Sequence, residues 1–368
     1  MTAESSRQMD AVQESFRTLS ADFRSKLESE LHDWLTEKEL EAAAESASSR
    51  ELTEVLTQFV ARDGKRIRPA LLYYTFRACG GVSDEKVMPM AMAVELLHTY
   101  LLIHDDIMDH ADVRRGGPAA HVMYADLHRS RGWHGDSEHF GESVAILLGD
   151  LAQTYSLQLY SSAELAPEVA AEFRQQFSLM CQEVVLGQYL EMTAGYRDNL
   201  EEDELLRVLR MKSGRYSVER PVQLGYLLAR APEATRQALT FYGLKMGEAF
   251  QLQDDLLGMF GDAKTVGKPV GADLVEGKFT LLIHHALRHL SGDDRVALKR
   301  ALGNVDLEPA EAHRVQRLIE ASGARQRVQE MVEERLRQAQ ESLQAVDLAE
   351  DGAAFLEGLI DYLRGRKR

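Results

Sequence analysis

Apolar residues recur at three- and four-residue intervals from residue 8 to about 345, in blocks broken by Gly, Pro, Ser and Asp. That spacing lays them along one stripe of a helix, so the pattern predicts a bundle of roughly a dozen helices. Gly80–Gly81, followed by Ser83 and Asp84, read as the stop of one helix and the start of the next. The stretch from Met88 to Ile107 is almost continuously apolar and predicts a helix buried at the centre. Between Ala111 and Gly141 the chain turns polar, through RRGGP and HRSRGWHGDSEHFG, which predicts the longest irregular segment and a candidate lid. A second irregular stretch is expected from Gly258 to Gly277. No linker divides the chain, so residues 21–368 are expected to form one domain behind a mobile segment of residues 1–20.

Composition narrows the class. Eight prolines and 7% aromatics among 368 residues, with runs rich in Ala, Leu, Glu, Gln and Arg, favour an all-α fold with little or no sheet. The 45% hydrophobic content suffices for a large core. A formal charge of −16 argues against a nucleic acid as partner, because most of the surface would repel a polyanion. Cys79 and Cys181 stand about a hundred residues apart, a spacing that implies neither zinc nor redox chemistry and suits a reducing cytoplasm. The start MTAESSRQMD has no apolar signal core, and no transmembrane segment is expected.

The candidate chemistry begins at Asp105, Asp106 and Asp109, a DDIMD motif closing the apolar run VELLHTYLLIH. Positions 105 and 109 share a helix face. Three carboxylates this close repel one another unless a cation lies among them, and Mg²⁺ suits the arrangement because it binds a few carboxylate oxygens and bridges to phosphates. Alone, the motif fits an acidic helix end exposed to water better than a metal site. A second pair, Asp254 and Asp255 in AFQLQDDLLGMF, changes that balance, since two such sites could hold metal ions on opposite sides of one diphosphate. Its third position is Gly258, with Asp262 a turn further on, so fewer protein oxygens and more water are expected there. Basic residues lie nearby in sequence: Arg62, Lys65, Arg66 and Arg68 in RDGKRIRP, Arg114 and Arg115 just past Asp109, then Lys212, Lys268 and Lys278. Together they compose one phosphate cradle.

GKRIRP, ELLHTYLLIHDDIMD, RRGGPAAH, ILLGD, MKSGRYS, FQLQDD and GDAKTVGKPVGADLVEGK follow one another in an order that resembles the trans-isoprenyl diphosphate synthases over almost the whole chain. The resemblance implies an all-α fold around a deep central cavity, with an acidic motif on each of two facing helices at its mouth. It implies Mg²⁺, three ions with substrate bound, held by Asp105, Asp109 and Asp254 with support from Asp106 and Asp255. Lys65, Arg68, His98 and Arg115 match the positions that bind the diphosphate of isopentenyl diphosphate. Arg114, Lys212 and Lys268 match those that hold the allylic diphosphate, with Lys278 completing the cationic set. Ser213 and Gln251 match positions whose oxygens lie near the developing allylic cation. Asp63 stands where the family has Gly, Gly258 where many members have Asp, and Ser213 where Thr is commoner. A homodimer is implied as well.

The reaction so implied starts with loss of diphosphate from an allylic substrate, followed by attack of the isopentenyl alkene and loss of a proton. A helical turn rises ~5.4 Å, about one extended isoprene unit, so residues before Asp105 act as successive floors. Tyr100 and Leu101 form the first floor and Leu97 the second. An aromatic at Tyr100 without one at Leu101 resembles the makers of the twenty-carbon geranylgeranyl product; aromatics at both would resemble the farnesyl makers. A terpene cyclase is the rival enzyme, but its usual second motif is not what stands at Asp254. A non-catalytic subunit modulating a partner synthase is the rival of another class, and Gly258 is the feature leaning toward it.

Overall fold

A computed structural model describes residues 3–163, 165–197, 200–261 and 272–365. Their elements are α1 (Ala3–Glu45), α2 (Ala47–Val60), α3 (Ile67–Ala78), α4 (Asp84–Met108), a ladder of β1 (Val113–Arg114) and β2 (Gly117–Pro118), α5 (Ala120–Ser130) and α6 (Ser137–Ser162). There follow α7 (Pro167–Ala194), α8 (Glu202–Leu209), a π-helical segment (Arg210–Glu219), α9 (Arg220–Leu228) and α10 (Glu233–Phe260). The chain closes with α11 (Ala272–Val275), α12 (Leu281–His289), α13 (Gly292–Ala301), α14 (Pro309–Ala321), α15 (Ala324–Gln344) and α16 (Glu350–Gly365). The fold is all-α; the antiparallel ladder, Val113 opposite Pro118, holds the only strands among the described residues. Helices are more numerous than the apolar blocks suggested, because the run 202–228 is divided by its π-type turn.

The chain divides into two compact units, a smaller one of Arg17–Tyr73 and Val82–Leu165 and a larger one of Met1–Phe16, Tyr74–Gly81 and Ala166–Arg368. In the smaller unit α4 is the central helix, as its apolar run predicts: Met88, Ala91, Val94, Leu97 and Ile103 are all buried. Ser156 Oγ of α6 donates to Ala93 O at 2.6 Å, a buried bond that sets the register of α4 against α6. By length and composition α4 could also cross a membrane, but 67% of its most apolar window, of mean hydropathy 1.3, is buried inside the protein, as in a core helix.

The polar segment between Ala111 and Gly141 is not irregular. Helix α5 occupies its middle, and the turn after it is held by His128, Trp133 and Phe140, whose ring centroids lie 5.1 to 5.9 Å apart. Asp136 then caps α6 by accepting from Glu138 N at 3.0 Å and His139 N at 3.2 Å. Gly141 lets α6 press onto α5, since a Cβ there would sit 2.3 Å from His121 O. Polar composition hid helix α5, whose C-terminal turn is held by an aromatic clamp rather than signalled by apolar periodicity.

In the larger unit α10 packs on the π-helical segment at Gly247, whose Cβ would lie 2.3 Å from Gly214 O. Tyr242 of α10, fully buried, donates its hydroxyl to Leu356 O at 2.9 Å. The buried carboxylate of Glu248 accepts from Arg210 Nε at 2.7 Å and Arg335 Nε at 2.6 Å, joining the π-helical segment, α10 and α15. The boundary drawn at residue 20 falls inside α1, and Phe16 is buried against Phe355 and Tyr362 at 5.1 and 5.4 Å.

Candidate active site

The first acidic motif ends α4. Asp109 N donates to Asp105 O at 2.8 Å, so the helix turns through the motif and Asp105 and Asp109 stay on one face. Asp106 points elsewhere. It is fully buried, its Oδ1 accepts from Arg114 Nε at 2.7 Å and from the Nη2 of the same guanidinium, and its Oδ2 has no hydrogen-bond partner among the described residues. Burial raises the Asp106 pKa, with Arg114 opposing. Asp106 thus orients Arg114, while Asp105 and Asp109 share another face of the helix.

The basic cluster at RDGKRIRP separates into two jobs. Arg66, at a left-handed φ of 49°, is buried; it pairs with Glu95, reaches Glu28 at 3.2 Å and donates to Val60 O at 2.6 Å. Arg62 donates to Pro118 O at 2.8 Å and lies over the Phe59 ring at 4.7 Å. Both are structural, which residue type alone did not reveal. Lys65 stays exposed, and Asp63, where the family has Gly, is an exposed partner of Arg24 at 3.0 Å.

Arg68 Nη1 lies 3.1 Å from His98 Nε2. A guanidinium only donates, so Nε2 accepts and the proton sits on Nδ1. Burial, then Arg68, Arg115, Arg66 and Arg114, hold the His98 pKa well below the usual value. The imidazole is therefore neutral, with its proton on Nδ1. Arg115, at φ 50°, approaches Glu95 Oε1 at 3.4 Å, and its Nη1 is buried without a partner among the described residues. Gly64 leaves room for this guanidinium, as a Cβ there would be 3.1 Å from Cζ. Glu95, buried on the apolar helix, anchors both Arg66 and Arg115.

Of the floor residues, Leu97 is fully buried while Tyr100 and Leu101 are half-buried. The Tyr100 ring meets that of His104 edge-on at 4.7 Å. His104 packs over Gly149 of the ILLGD motif, whose Cβ would be 2.3 Å from Nε2.

The larger unit gathers Lys212, Ser213, Gln251, Asp255 and Lys278 around one small cavity, together with Glu191. Lys212 and Ser213 reach it from the π-helical segment, where the extra residue per turn re-aims side chains. Gly187 of α7 permits this, since a Cβ would lie 2.3 Å from Lys212 N. Lys212 pairs with Glu191, and Lys278 pairs with Glu276 and approaches Asp273 Oδ1 at 3.8 Å. Gln251 Nε2 donates to Asp255 Oδ1 at 2.7 Å. Burial, then Asp273, with Glu191 and Asp254 adding to it, push the Asp255 pKa up to about 8 against that bond. Lys268 and Asp262 lie outside the described residues.

Gly258 has a physical explanation. A Cβ there would sit 1.9 Å from Asp273 Oδ2, so the carboxylate of Asp273 fills the space that a side chain at 258 would take. The third carboxylate of the second motif comes from the next helix. The signal was present in GADLVEGK, but sequence distance hid it.

The oxygens so gathered include the buried Oδ2 of Asp106, which has no hydrogen-bond partner among the described residues, and the crowd of Asp255, Asp273, Glu191 and Asp254, whose charges raise the Asp255 pKa. Hard all-oxygen donors of this kind fit Mg²⁺.

The profile of the family described as polyprenyl synthetase matches residues 49–321. The chain belongs to this family. It is 39% identical over 249 residues to a short chain isoprenyl diphosphate synthase of Methanocaldococcus jannaschii, covering 67% of this chain and 70% of that protein. It is 36% identical to a geranylgeranyl diphosphate synthase of Methanosarcina mazei, over 64% of this chain and 67% of that one. Among solved structures, geranylgeranyl pyrophosphate synthase from Corynebacterium glutamicum, complexed with isoprenyl diphosphate and magnesium, superposes with a TM-score of 0.90 at 33% identity, over 95% of this chain and 99% of that chain. Glu95, Glu191 and Asp273, which reading the motifs one at a time did not single out, pair with Arg66 and Arg115, with Lys212, and with Lys278 in turn.

Proposed function

We propose that this chain is a Mg²⁺-dependent prenyltransferase that condenses isopentenyl diphosphate with allylic diphosphates to a linear all-trans product of twenty carbons. The observation that carries the reading is that Lys212, Ser213, Gln251, Asp255 and Lys278, five motif residues scattered in sequence, line one cavity. Bound Mg²⁺ would be held by Asp105 and Asp109 and by Asp254 with Asp255 and Asp273, and would neutralise the diphosphate as it leaves. Arg114, oriented by Asp106, and Lys212, oriented by Glu191, bind the allylic diphosphate. Lys65, Arg68, His98 and Arg115 bind the diphosphate of isopentenyl diphosphate, His98 as a neutral donor. The side-chain oxygens of Ser213 and Gln251 face the allylic carbons as positive charge develops, and Lys278 holds Asp273 in place.

Tyr100 supports the twenty-carbon product: its ring is fixed against His104, and Leu101 beside it leaves more room than a second aromatic would. A homodimer is supported by the exposed apolar side chains Val185, Leu186, Tyr189 and Met192 on α7. The test is to incubate the protein with Mg²⁺, isopentenyl diphosphate and, separately, dimethylallyl, geranyl and farnesyl diphosphates, and to identify products by mass spectrometry. Geranylgeranyl diphosphate from all three is expected. A fifteen-carbon endpoint would refute the floor, and no condensation with any starter would favour a non-catalytic subunit.

A further inference from the structure

A second group of metal-ligating side chains lies in the larger unit and has no place in the diphosphate chemistry. Glu202 is the first residue of α8, and His284 and His285 stand in the opening turns of α12. One ligand atom from each of the three lies within 4.8 Å of the other two. Both histidines are 6% exposed, and the Nε2 of each is buried without a hydrogen-bond partner among the described residues. Leaving one such nitrogen unsatisfied costs about 1–3 kcal/mol, so two side by side need a ligand to explain them. Consecutive helical residues point about 100° apart. Here the two rings nevertheless stand 5.5 Å apart between centroids at an angle of 75°, close enough to serve one ion.

The donor chemistry selects the ion. Two imidazoles with one carboxylate suit zinc, whereas Mg²⁺ prefers oxygen alone. Zn–N and Zn–O bonds of about 2.0–2.2 Å put tetrahedral ligand atoms roughly 3.4 Å apart, so closure around the ion takes about 1 Å of side-chain movement. Glu202 is half-buried, which leaves a fourth position to water.

We propose that Glu202, His284 and His285 form a zinc site that ties the start of α8 to the start of α12. Helix α8 runs directly into the π-helical segment that carries Lys212 and Ser213, and α12 begins three residues after Lys278. Zinc here braces both walls of the cavity without touching substrate. The site is separate from the aspartates, and the proposal stands whether or not the reaction is the one above.

The test uses the full-length protein, freed of metal with a chelator and held in millimolar Mg²⁺ so that the aspartates are occupied. Titration with Co²⁺ should give one equivalent of a four-coordinate species with intense visible absorption, displaced by Zn²⁺, and Zn²⁺ should raise the thermal midpoint. His284→Ala and His285→Ala should abolish the band, whereas Asp254→Ala should keep it. Glu202→Gln, at a half-exposed position that leaves the core intact, should weaken Co²⁺ binding at least about tenfold. Absence of the band in the unmodified protein, or a Co²⁺ affinity untouched by Glu202→Gln, overturns the proposal even if the histidine variants fail to fold.

Discussion

Replacing Gly187 by Ala tests whether the close approach of α7 to the π-helical segment positions Lys212, the residue proposed to hold the allylic diphosphate. The added Cβ would lie 2.3 Å from Lys212 N and 2.5 Å from Lys212 Cα, against ordinary contacts that begin at 3.4 Å. Both neighbours are backbone, so no side chain can swing away, and the segment must retreat by about 1 Å. A displacement of that size at a group that must meet a developing charge costs on the order of 10²-fold in rate. Overpacking costs about 1–3 kcal/mol. The gain from Ala over Gly inside a helix returns about 0.5–1 kcal/mol. Stability should therefore drop by up to about 2 kcal/mol, a fall of a few degrees in Tm. Steady-state kinetics with the allylic substrate varied, paired with thermal unfolding, read both quantities. Wild-type kcat/KM together with an unchanged or raised Tm would show that the approach does not set the position of Lys212.

Asp105→Ala removes a metal-facing carboxylate at a half-buried helix end; kcat should fall by at least about 10³-fold with the circular dichroism spectrum unchanged, and an undiminished rate would refute the assignment. Tyr100→Ala should lengthen the product by at least one isoprene unit in the mass spectrum, and an unchanged product would place the floor elsewhere. Glu95→Ala leaves the buried Arg66 with Glu28 as its remaining carboxylate partner and should destabilise the protein by about 3 kcal/mol, the low end for a broken buried pair, in denaturant titrations; a loss below about 1 kcal/mol would mean the pair is not coupled. Asp255 ionises near pH 4 in the unfolded chain but at about 8 in the folded, metal-free protein. The native state then binds the extra proton between those values, so stability falls as pH rises from 4 to 8. Denaturant midpoints at pH 5 and pH 8 should show this fall, reduced in Asp255→Asn, and an identical slope in the variant would exclude Asp255 as its source.

What the sequence determined was what local pattern carries. Three- and four-residue periodicity specifies helices, and carboxylates four apart at the end of an apolar run share a face wherever that run folds. DDIMD was legible for that reason and the central burial of α4 by its continuous apolar run, while FQLQDD was legible only as a second aspartate pair within an apolar helical run. Tertiary structure decided everything that depends on approach between distant segments. It divided RDGKRIRP into the buried Arg66 and the exposed Lys65, because Glu95, 29 residues after Arg66, receives only one of them. It paired Asp106 with Arg114, and it filled the space beside Gly258 with the carboxylate of Asp273. It also brought Glu202 to His284 and His285 across some eighty residues. Charge pairing and steric exclusion act through space, so a chain read in order shows which groups are available and leaves their partners to the fold.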